Sequence, residues 1–179
     1  MTASAFVDQS AAFIVVSEAR ADELGIPQDK RVYLHGEAHA HNTWFVSDRE
    51  RLDQSPAMRL TSRAALAQAG KTIADVDVFD IYSCFPSAVQ IACKELGISP
   101  DDKRGLTVTG GLPYFGGPGN NYVTHAIAEM VQRLRAKPGA YGLVMANVGL
   151  VTKAAVGLFS TERPNKPFMR ADSDAIQRE

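Results

Sequence analysis

The sequence of 179 residues is poor in the residues that stabilise small secreted or metal-bound domains. It has two cysteines, Cys84 and Cys93, and neither belongs to a CxxC pair or to a metal-spaced set. This excludes a disulfide framework and a cysteine-based zinc module, and a reducing cytoplasm is the simplest location. A chain of this length buries roughly 70% of the surface that its unfolded form exposes, so we expect neither a metal nor a cofactor for stability.

An excess of one charge and a long apolar segment are also missing. The formal net charge is -1 and no run contains five like charges, which argues against a nucleic-acid or membrane-surface footprint. The apolar run 11–16 is too short for a signal-peptide core or a membrane span. We therefore expect a cytoplasmic protein whose partners are small molecules or proteins, with no nucleic acid and no membrane.

What the sequence does contain is a repeated alternation of strand and helix patterns. The run 11–16 predicts a buried strand, and Ser17 and Gly25 bound a short helix after it. Because no strand precedes it, we expect this strand to join a sheet contributed mainly from elsewhere. The later patterns predict helices over 56–70, over 86–96 and from the end of a glycine-rich stretch to Lys137, and strands over 31–44, 76–82, 106–109, 141–147 and 154–160. This order predicts an α/β fold, with a mixed five-stranded sheet over 31–161 and helices on both faces.

Two groups of residues could carry chemistry by their position alone. The glycine-rich stretch 110–119 lies between a strand and a helix, where backbone amides could meet an anion, but a tightly turned packing loop is the simpler interpretation. One face of the strand 31–44 carries polar side chains at a spacing that zinc can use: His35, Glu37, His39 and His41. Since one strand supplies all four, we interpret them as a solvated or interface face and expect no metal site.

Cys84 lies at a predicted turn between a strand and a helix. The helix dipole could lower the pKa of its thiol there. The commoner role of a free cysteine is that of a small buried apolar residue. The sequence leaves both interpretations open.

Several segments resemble thiolase segments and follow one another in the same order. Three of them resemble the C-terminal domain of thiolases: VDVFDIYSCFPSAVQIACKELGI at 76–98, LTVTGGLPYFGGPGNNYVTHAIAEMVQRLR at 106–135 and GLVMANVGLVTKAAVGLFST at 142–161. SAFVDQSAAFIVVSEARADELGIP at 4–27 resembles the last strand and helix of the thiolase N-terminal domain. The similarity is greatest to acetyl-CoA acetyltransferase-like proteins of the sterol-carrier type.

The resemblance implies that the chain consists of three parts. Residues 1–30 correspond to the terminal βα fragment of a thiolase-like N-terminal domain whose remainder is absent. Residues 31–161 correspond to the thiolase-like C-terminal domain, and residues 162–179 form a polar tail. The nucleophilic cysteine of thiolases belongs to the N-terminal half, so the resemblance implies no acyl-enzyme nucleophile in this chain.

The resemblance also implies that the family's acid/base positions have changed here. The asparagine or histidine of the NEAF or HDCF motif falls on Tyr82, the histidine of the GHP motif on Gly117, and the cysteine of the CxG motif on Asn147. Glycine offers no base, and an asparagine amide can donate a hydrogen bond but cannot shuttle a proton. Tyr82 is therefore the candidate catalytic group, as a hydrogen-bond or proton donor, and Asn147 is the candidate oxyanion donor.

The same motif positions imply a pocket for a coenzyme A thioester. The residues that would line the pantetheine arm and the wall around the thioester are Ser4, Phe6, Cys84, Phe85, Tyr114, Gly116 and Gly117. Coenzyme A would enter as part of the substrate or ligand, and no other cofactor is expected.

These implications predict a thiolase-like acyl-CoA protein, an acyltransferase of lipid metabolism by family, that lacks standard thiolase catalysis. It would bind an acyl-CoA, or cleave it by retro-aldol chemistry, with a protein partner or a homo-oligomer that completes the thiolase fold. The alternative is a non-catalytic interaction subunit or the remnant of a truncated thiolase.

Overall fold

A computed structural model describes residues 3–178. Four strands form one mixed sheet in the order β1-β4-β3-β2, in which β2 and β3 are parallel and the other neighbours are antiparallel. The strands are β1 (Tyr33–His41), β2 (Val78–Ile81), β3 (Tyr141–Val148) and β4 (Lys153–Ser160). The mixed sheet of an α/β fold is confirmed, but the prediction of five strands in the C-terminal part is wrong.

The missing fifth strand is the segment 106–109, which adopts irregular structure. Its backbone gives one bond to the sheet, from Ile81 N to Leu106 O at 2.8 Å. The next residues bond to a side chain instead, because the carboxylate of Asp80 accepts from Val108 N at 3.0 Å and from the hydroxyl of Thr107 at 3.0 Å. These bonds replace the ladder that a β-branched run would otherwise form.

Helices cover both faces of the sheet, as predicted. Helices α2 and α3 pack on one face around Phe79 and Met145, whereas α5 packs on the other around Val144. In chain order the helices are α1 (Glu18–Glu23), α2 (Pro56–Gln68), α3 (Pro86–Leu96), α4 (Leu112–Phe115), α5 (Tyr122–Ala136) and α6 (Ser173–Arg178). Among residues 3–178, no helix combines the length and the apolar character needed to cross a membrane.

Local signals in the sequence set the bounds of these helices. The side chain of Ser17 accepts a hydrogen bond from Arg20 N at the start of α1, and Ser55 does the same for Met58 N at the start of α2. Both are N-cap bonds that satisfy an otherwise unpaired amide. Helix α3 ends where Gly97 adopts a left-handed conformation, as the sequence predicted.

Two glycines in the strands allow helices to approach the sheet closely. A Cβ atom added at Gly36 would lie 2.0 Å from the carbonyl oxygen of Ala65 in α2, and one added at Gly142 would lie 2.3 Å from the sulfur of Met130 in α5. Any larger residue at Gly36 would therefore push α2 away from β1.

The N-terminal segment does not form the buried strand predicted over 11–16. Among residues 3–178 no strand pairs with it, and Ile14 and Val15 are 87% and 80% exposed. The apolar pattern is that of a strand, but the described sheet offers it no neighbour. Its burial in a sheet stays a prediction that depends on a partner.

The C-terminal segment after the sheet ends in α6, which packs against the outer edge of β1. The side chain of Gln177 accepts a hydrogen bond from His41 N at 2.7 Å and donates one to His41 O at 2.8 Å. Gln68 of α2 bonds in the same two-way manner to the backbone of Glu37. Two amide side chains thus cover backbone groups of an edge strand.

Candidate functional site

The candidate site lies where β2 and β3 end, since parallel strands bring their carboxyl ends to one edge of the sheet. Tyr82 and Cys84 follow β2 in the turn before α3, and Tyr82 N donates to Met145 O of β3 at 3.1 Å. Ser83 of the same turn accepts a hydrogen bond from Leu112 N at 3.0 Å. The turn is therefore attached both to the sheet and to the glycine-rich loop.

Asn147 is buried at the end of β3 and bonds to both neighbours of Ser83. Its Nδ2 donates to Tyr82 O at 3.3 Å, and its Oδ1 accepts from the Cys84 thiol at 3.2 Å. Burial raises the pKa of the Cys84 thiol, so the group remains a protonated donor to Asn147 at neutral pH. An amide nitrogen carries two hydrogens, and one remains for a ligand oxygen.

Tyr82 is half-buried, and its ring meets that of Tyr122 edge-on with centroids 5.2 Å apart. Burial, followed by the proximity of Cys84, raises the pKa of the Tyr82 phenol. The hydroxyl therefore stays protonated near neutral pH, which suits a donor and not a base.

The position that the resemblance aligned with a catalytic histidine is filled by the N-terminal segment. Gly117 N donates to Ser4 O at 2.6 Å, and Ser4 N donates to Leu112 O at 3.3 Å. A Cβ atom at Gly117 would lie 3.3 Å from the Cβ of Ala3 and 3.4 Å from Ser4 O. A side chain at this position would therefore begin in tight contact with residues 3 and 4.

The remaining predicted pocket residues do not form one enclosed cavity in residues 3–178. Gly116 is buried against Val7 and Gln9. Phe6 is 100% exposed and Tyr114 is 90% exposed, while Phe85 is also exposed at the start of α3. The structure thus brings together Tyr82, Cys84 and Asn147, and separately Ser4, Gly116 and Gly117, and leaves the three aromatic residues open to solvent.

The sequence interpretation missed the role of Asp80. This fully buried residue accepts hydrogen bonds from Val108 N, Thr107 and the hydroxyl of Tyr122, the last at 3.3 Å. Burial raises the pKa of Asp80, and burial together with its charge raises the pKa of Tyr122 to about 12. Asp80 thus connects β2 to residues on both sides of the glycine-rich stretch. The signal for it in the sequence was one acid within an apolar strand.

The polar face of β1 is engaged by the rest of the fold. His35 Nε2 lies 2.8 Å from Glu162 O, the ring of His39 contacts the hydroxyl of Ser173, and the ring of His41 lies against Trp44. Burial lowers the pKa of His35. In residues 3–178 no three His, Cys, Asp or Glu side chains are placed to hold a metal ion.

A comparison with known proteins matches residues 36–111 to the family described as thiolase C-terminal domain-like. In a comparison of structures, the chain is similar to a monomeric SCP2-thiolase like protein type 1 from Mycobacterium smegmatis. The TM-score is 0.84, with 44% sequence identity over 89% of this chain and 35% of that one. The chain is similar, over most of its length, to the C-terminal part of thiolase-superfamily proteins. The three motif segments had implied this similarity.

Among curated proteins, this thiolase-like chain is similar to 3-ketoacyl-CoA thiolases. It is 26% identical to that of Klebsiella pneumoniae and 29% identical to that of Pseudoalteromonas translucida, in each case over 149 residues. These alignments cover 83% of this chain and 36% of each relative. The chain thus spans about a third of the length of the thiolases that it matches.

Proposed function

We propose that this thiolase-like chain binds a coenzyme A thioester and does not perform thiolysis or Claisen condensation by the usual thiolase route. The observation that carries the proposal is that neither Gly117 nor Asn147, at the changed motif positions of this chain, can act as a base. Gly117 is packed against Ala3 and Ser4, and the side chain of Asn147 is bonded to Cys84 and to Tyr82 O. Burial raises the pKa of the Cys84 and Cys93 thiols, which disfavours a thiolate nucleophile.

The same groups can serve as hydrogen-bond donors to a thioester or aldol oxygen. The Tyr82 phenol is protonated, and Asn147 has a second amide hydrogen beyond the one donated to Tyr82 O. A retro-aldol cleavage requires such a donor at the thioester oxygen, which becomes the enolate oxygen when the Cα–Cβ bond breaks. It also requires a base that removes the proton of the hydroxyl on Cβ. The chain offers the donor, and the base would come from a partner.

The partner in this proposal completes the thiolase fold around residues 1–30, as a second chain or a second copy. The relatives that carry a thiolase name are almost three times the length matched here, and a βα fragment with no sheet neighbour supports such a partner. The proposal also divides the chain at residues 30 and 161 and assigns it to cytoplasmic lipid metabolism. The name 3-ketoacyl-CoA thiolase of its relatives supports an acyl-CoA ligand.

A second candidate function is that of a non-catalytic interaction subunit, or of a truncated thiolase remnant. The specific observation in its favour is the apolar segment from Phe13 to Val16, which is exposed throughout in residues 3–178. Exposed apolar patches of this kind mark surfaces that bind other proteins.

Calorimetric binding of acetyl-CoA to the chain distinguishes the two candidates. If Tyr82 donates to the thioester, Tyr82→Phe weakens binding about fivefold to tenfold, in line with the loss of one hydrogen bond of about 1 kcal/mol. Tyr33→Phe is the matched control, because its hydroxyl, at the start of β1, bonds to Gln28 and its loss should leave binding unchanged.

Equal affinity for wild type and Tyr82→Phe would show that Tyr82 is a packing residue. No binding by either protein would favour the interaction subunit. We also expect no thiolysis of acetoacetyl-CoA by the chain alone, and turnover that is lost on replacing Cys84 or Cys93 would overturn the proposed loss of chemistry.

A further inference from the structure

Strand β1 forms one edge of the sheet, because the strand order is β1-β4-β3-β2. Among residues 3–178 no other strand pairs with its outer side. The backbone groups of such an edge can pair with a strand of another chain, so folded proteins usually cover them. In this chain the cover includes two glutamine side chains, one from α2 and one from α6.

Each glutamine makes the two hydrogen bonds that a residue of a neighbouring strand would make. Gln177 accepts from His41 N at 2.7 Å and donates to His41 O at 2.8 Å. Gln68 accepts from Glu37 N at 3.1 Å and donates to Glu37 O at 2.7 Å. Hydrogen-bonded residues that lie opposite each other in an antiparallel pair exchange the same two N–H···O bonds. The two side-chain amides therefore occupy positions that suit the backbone of an added strand.

The two glutamines differ in how firmly the fold holds them. Gln68 ends α2, a helix of 13 residues that packs on the sheet. Gln177 belongs to α6, which has six residues and rests on the partly buried Ile176 and on a contact between Ser173 and the ring of His39. A helix of six residues is not stable without such contacts. α6 is therefore the part of the cover that can leave the edge.

The outer edge of β1 is complementary to itself in one antiparallel register. Because the direction of hydrogen bonding alternates along a strand, the backbone groups of His39 point to the same side as those of Glu37 and His41. A two-fold axis at His39 places Glu37 of one copy opposite His41 of the other. The carboxylate then faces an imidazole on both sides of the axis, which is a favourable cross-strand pair. Each pair of opposite residues also exchanges two backbone hydrogen bonds.

We propose that α6 is a removable cover of the β1 edge, and that the uncovered edge binds β1 of a second copy in this register. At Glu37, the backbone of His41 of the second copy replaces the amide of Gln68 and makes the same two bonds. The interface is self-complementary, as a two-fold axis requires. It includes neither residues 11–16 nor Tyr82, so the proposal does not rest on the proposed function.

The test compares the covered and the uncovered edge in the full chain. All proteins carry Ile14→Ser and Val15→Ser, so that the exposed apolar segment does not contribute to association. Ile176→Ser with Gln177→Ala removes the apolar and the hydrogen-bonded attachment of α6 and gives the uncovered variant. Gln132→Ala is the control for loss of a glutamine, because it lies at an exposed position of α5 on the other face of the sheet.

Sedimentation velocity and amide hydrogen exchange measured by NMR report the outcome. We expect the uncovered variant to dimerise with a Kd about tenfold or more below that of the covered chain, whereas the control does not change. At concentrations where the variant is monomeric, its His41 amide should exchange about tenfold or more faster than in the covered chain, because its acceptor is gone. The Glu37 amide, which keeps its bond to Gln68, should exchange as before.

A further substitution locates the interface. His39→Lys, added to the uncovered variant, places two lysines opposite each other at the two-fold axis, and like charges in opposite positions destabilise a strand pair. We expect this protein to be monomeric. An uncovered variant that stays monomeric, a dimer that His39→Lys leaves intact, or an unchanged exchange rate of the His41 amide would overturn the proposal. Gln177→Ala alone replaces one exposed side chain and repeats the exchange measurement without the change at Ile176.

Discussion

The sheet region over residues 33–161 and the N-terminal segment over residues 3–16 contain similar apolar patterns but differ in burial. Phe79 of β2 is fully buried between the sheet and the helices, whereas Phe13 is 42% exposed and its neighbours Ile14 and Val15 are more so. The difference lies in the neighbours and not in the residues. A β-branched run becomes a strand only where another strand accepts its hydrogen bonds.

The N-terminal segment is nevertheless held at one end. Ser4 bonds through its backbone to Leu112 and Gly117, and Gln9 bonds to Phe115 O. Residues 4–9 therefore lie against the glycine-rich loop, while residues 13–16 extend beyond it into solvent. The contrast assigns the first part to the site and the second part to a surface that another chain could cover.

The largest expected effect comes from truncating the same residue type in the two regions. Phe79→Ala should lower the free energy of unfolding by about 3–5 kcal/mol, because it removes a fully buried ring and leaves a cavity. Phe13→Ala should lower it by less than about 1 kcal/mol, since part of its ring already faces water. Urea unfolding followed by circular dichroism measures both, and equal losses would mean that the segment 11–16 is buried after all.

The sequence predicted the ends of several helices well. The N-caps Ser17 and Ser55 and the end of α3 at Gly97 depend on neighbouring residues, so the sequence pattern is sufficient to find them. The segment 106–109 was predicted wrongly because Asp80, distant in sequence, supplies the acceptor for its backbone.

In the candidate site, too, features that depend on neighbouring residues could be predicted, and features that depend on residues distant in sequence could not. The resemblance implied that Tyr82 and Asn147 are functional positions, and the structure places them in contact through a hydrogen bond. The filling of the space at Gly117 could not be predicted, since the atoms that fill it belong to Ala3 and Ser4, more than 100 residues away. Nor did the pattern indicate that Nε2 of the buried His125 has no hydrogen-bond partner within residues 3–178, because burial depends on the packed fold.

A smaller effect, with a defined sign, is expected for Asp80. Burial raises its pKa above the ordinary value of 3.8, so the folded state prefers the protonated carboxyl. The stability of wild type relative to Asp80→Asn should therefore be greatest below about pH 3.8 and should fall as pH rises through the folded-state pKa. Urea unfolding of both proteins across this range measures the difference.

Asp77, one residue before β2, provides a control of opposite sign. Burial acts to raise its pKa, but the ammonium of Lys137 and the amide of Tyr141 outweigh burial and lower it. The stability of wild type relative to Asp77→Asn should therefore be present above about pH 3.8 and be lost as pH falls. If the two variants respond to pH with the same sign, the burial of Asp80 is not what controls its ionisation.

The smallest effect on stability is expected in the exposed part of the N-terminal segment, where the effect on association should be clear. Replacing Ile14 and Val15 together by serine should change the free energy of unfolding by less than about 1 kcal/mol, because both side chains already face water. The wild-type chain should self-associate at micromolar concentration through this apolar surface, and the double variant should not. Sedimentation velocity measures the difference. The matched control is Val148→Ser with Leu150→Ser, at the end of β3 and in the turn after it, because these two side chains are also exposed. A compact wild-type monomer with the same sedimentation as the double variant would show that the segment needs no cover, and the proposed partner would lose its main support.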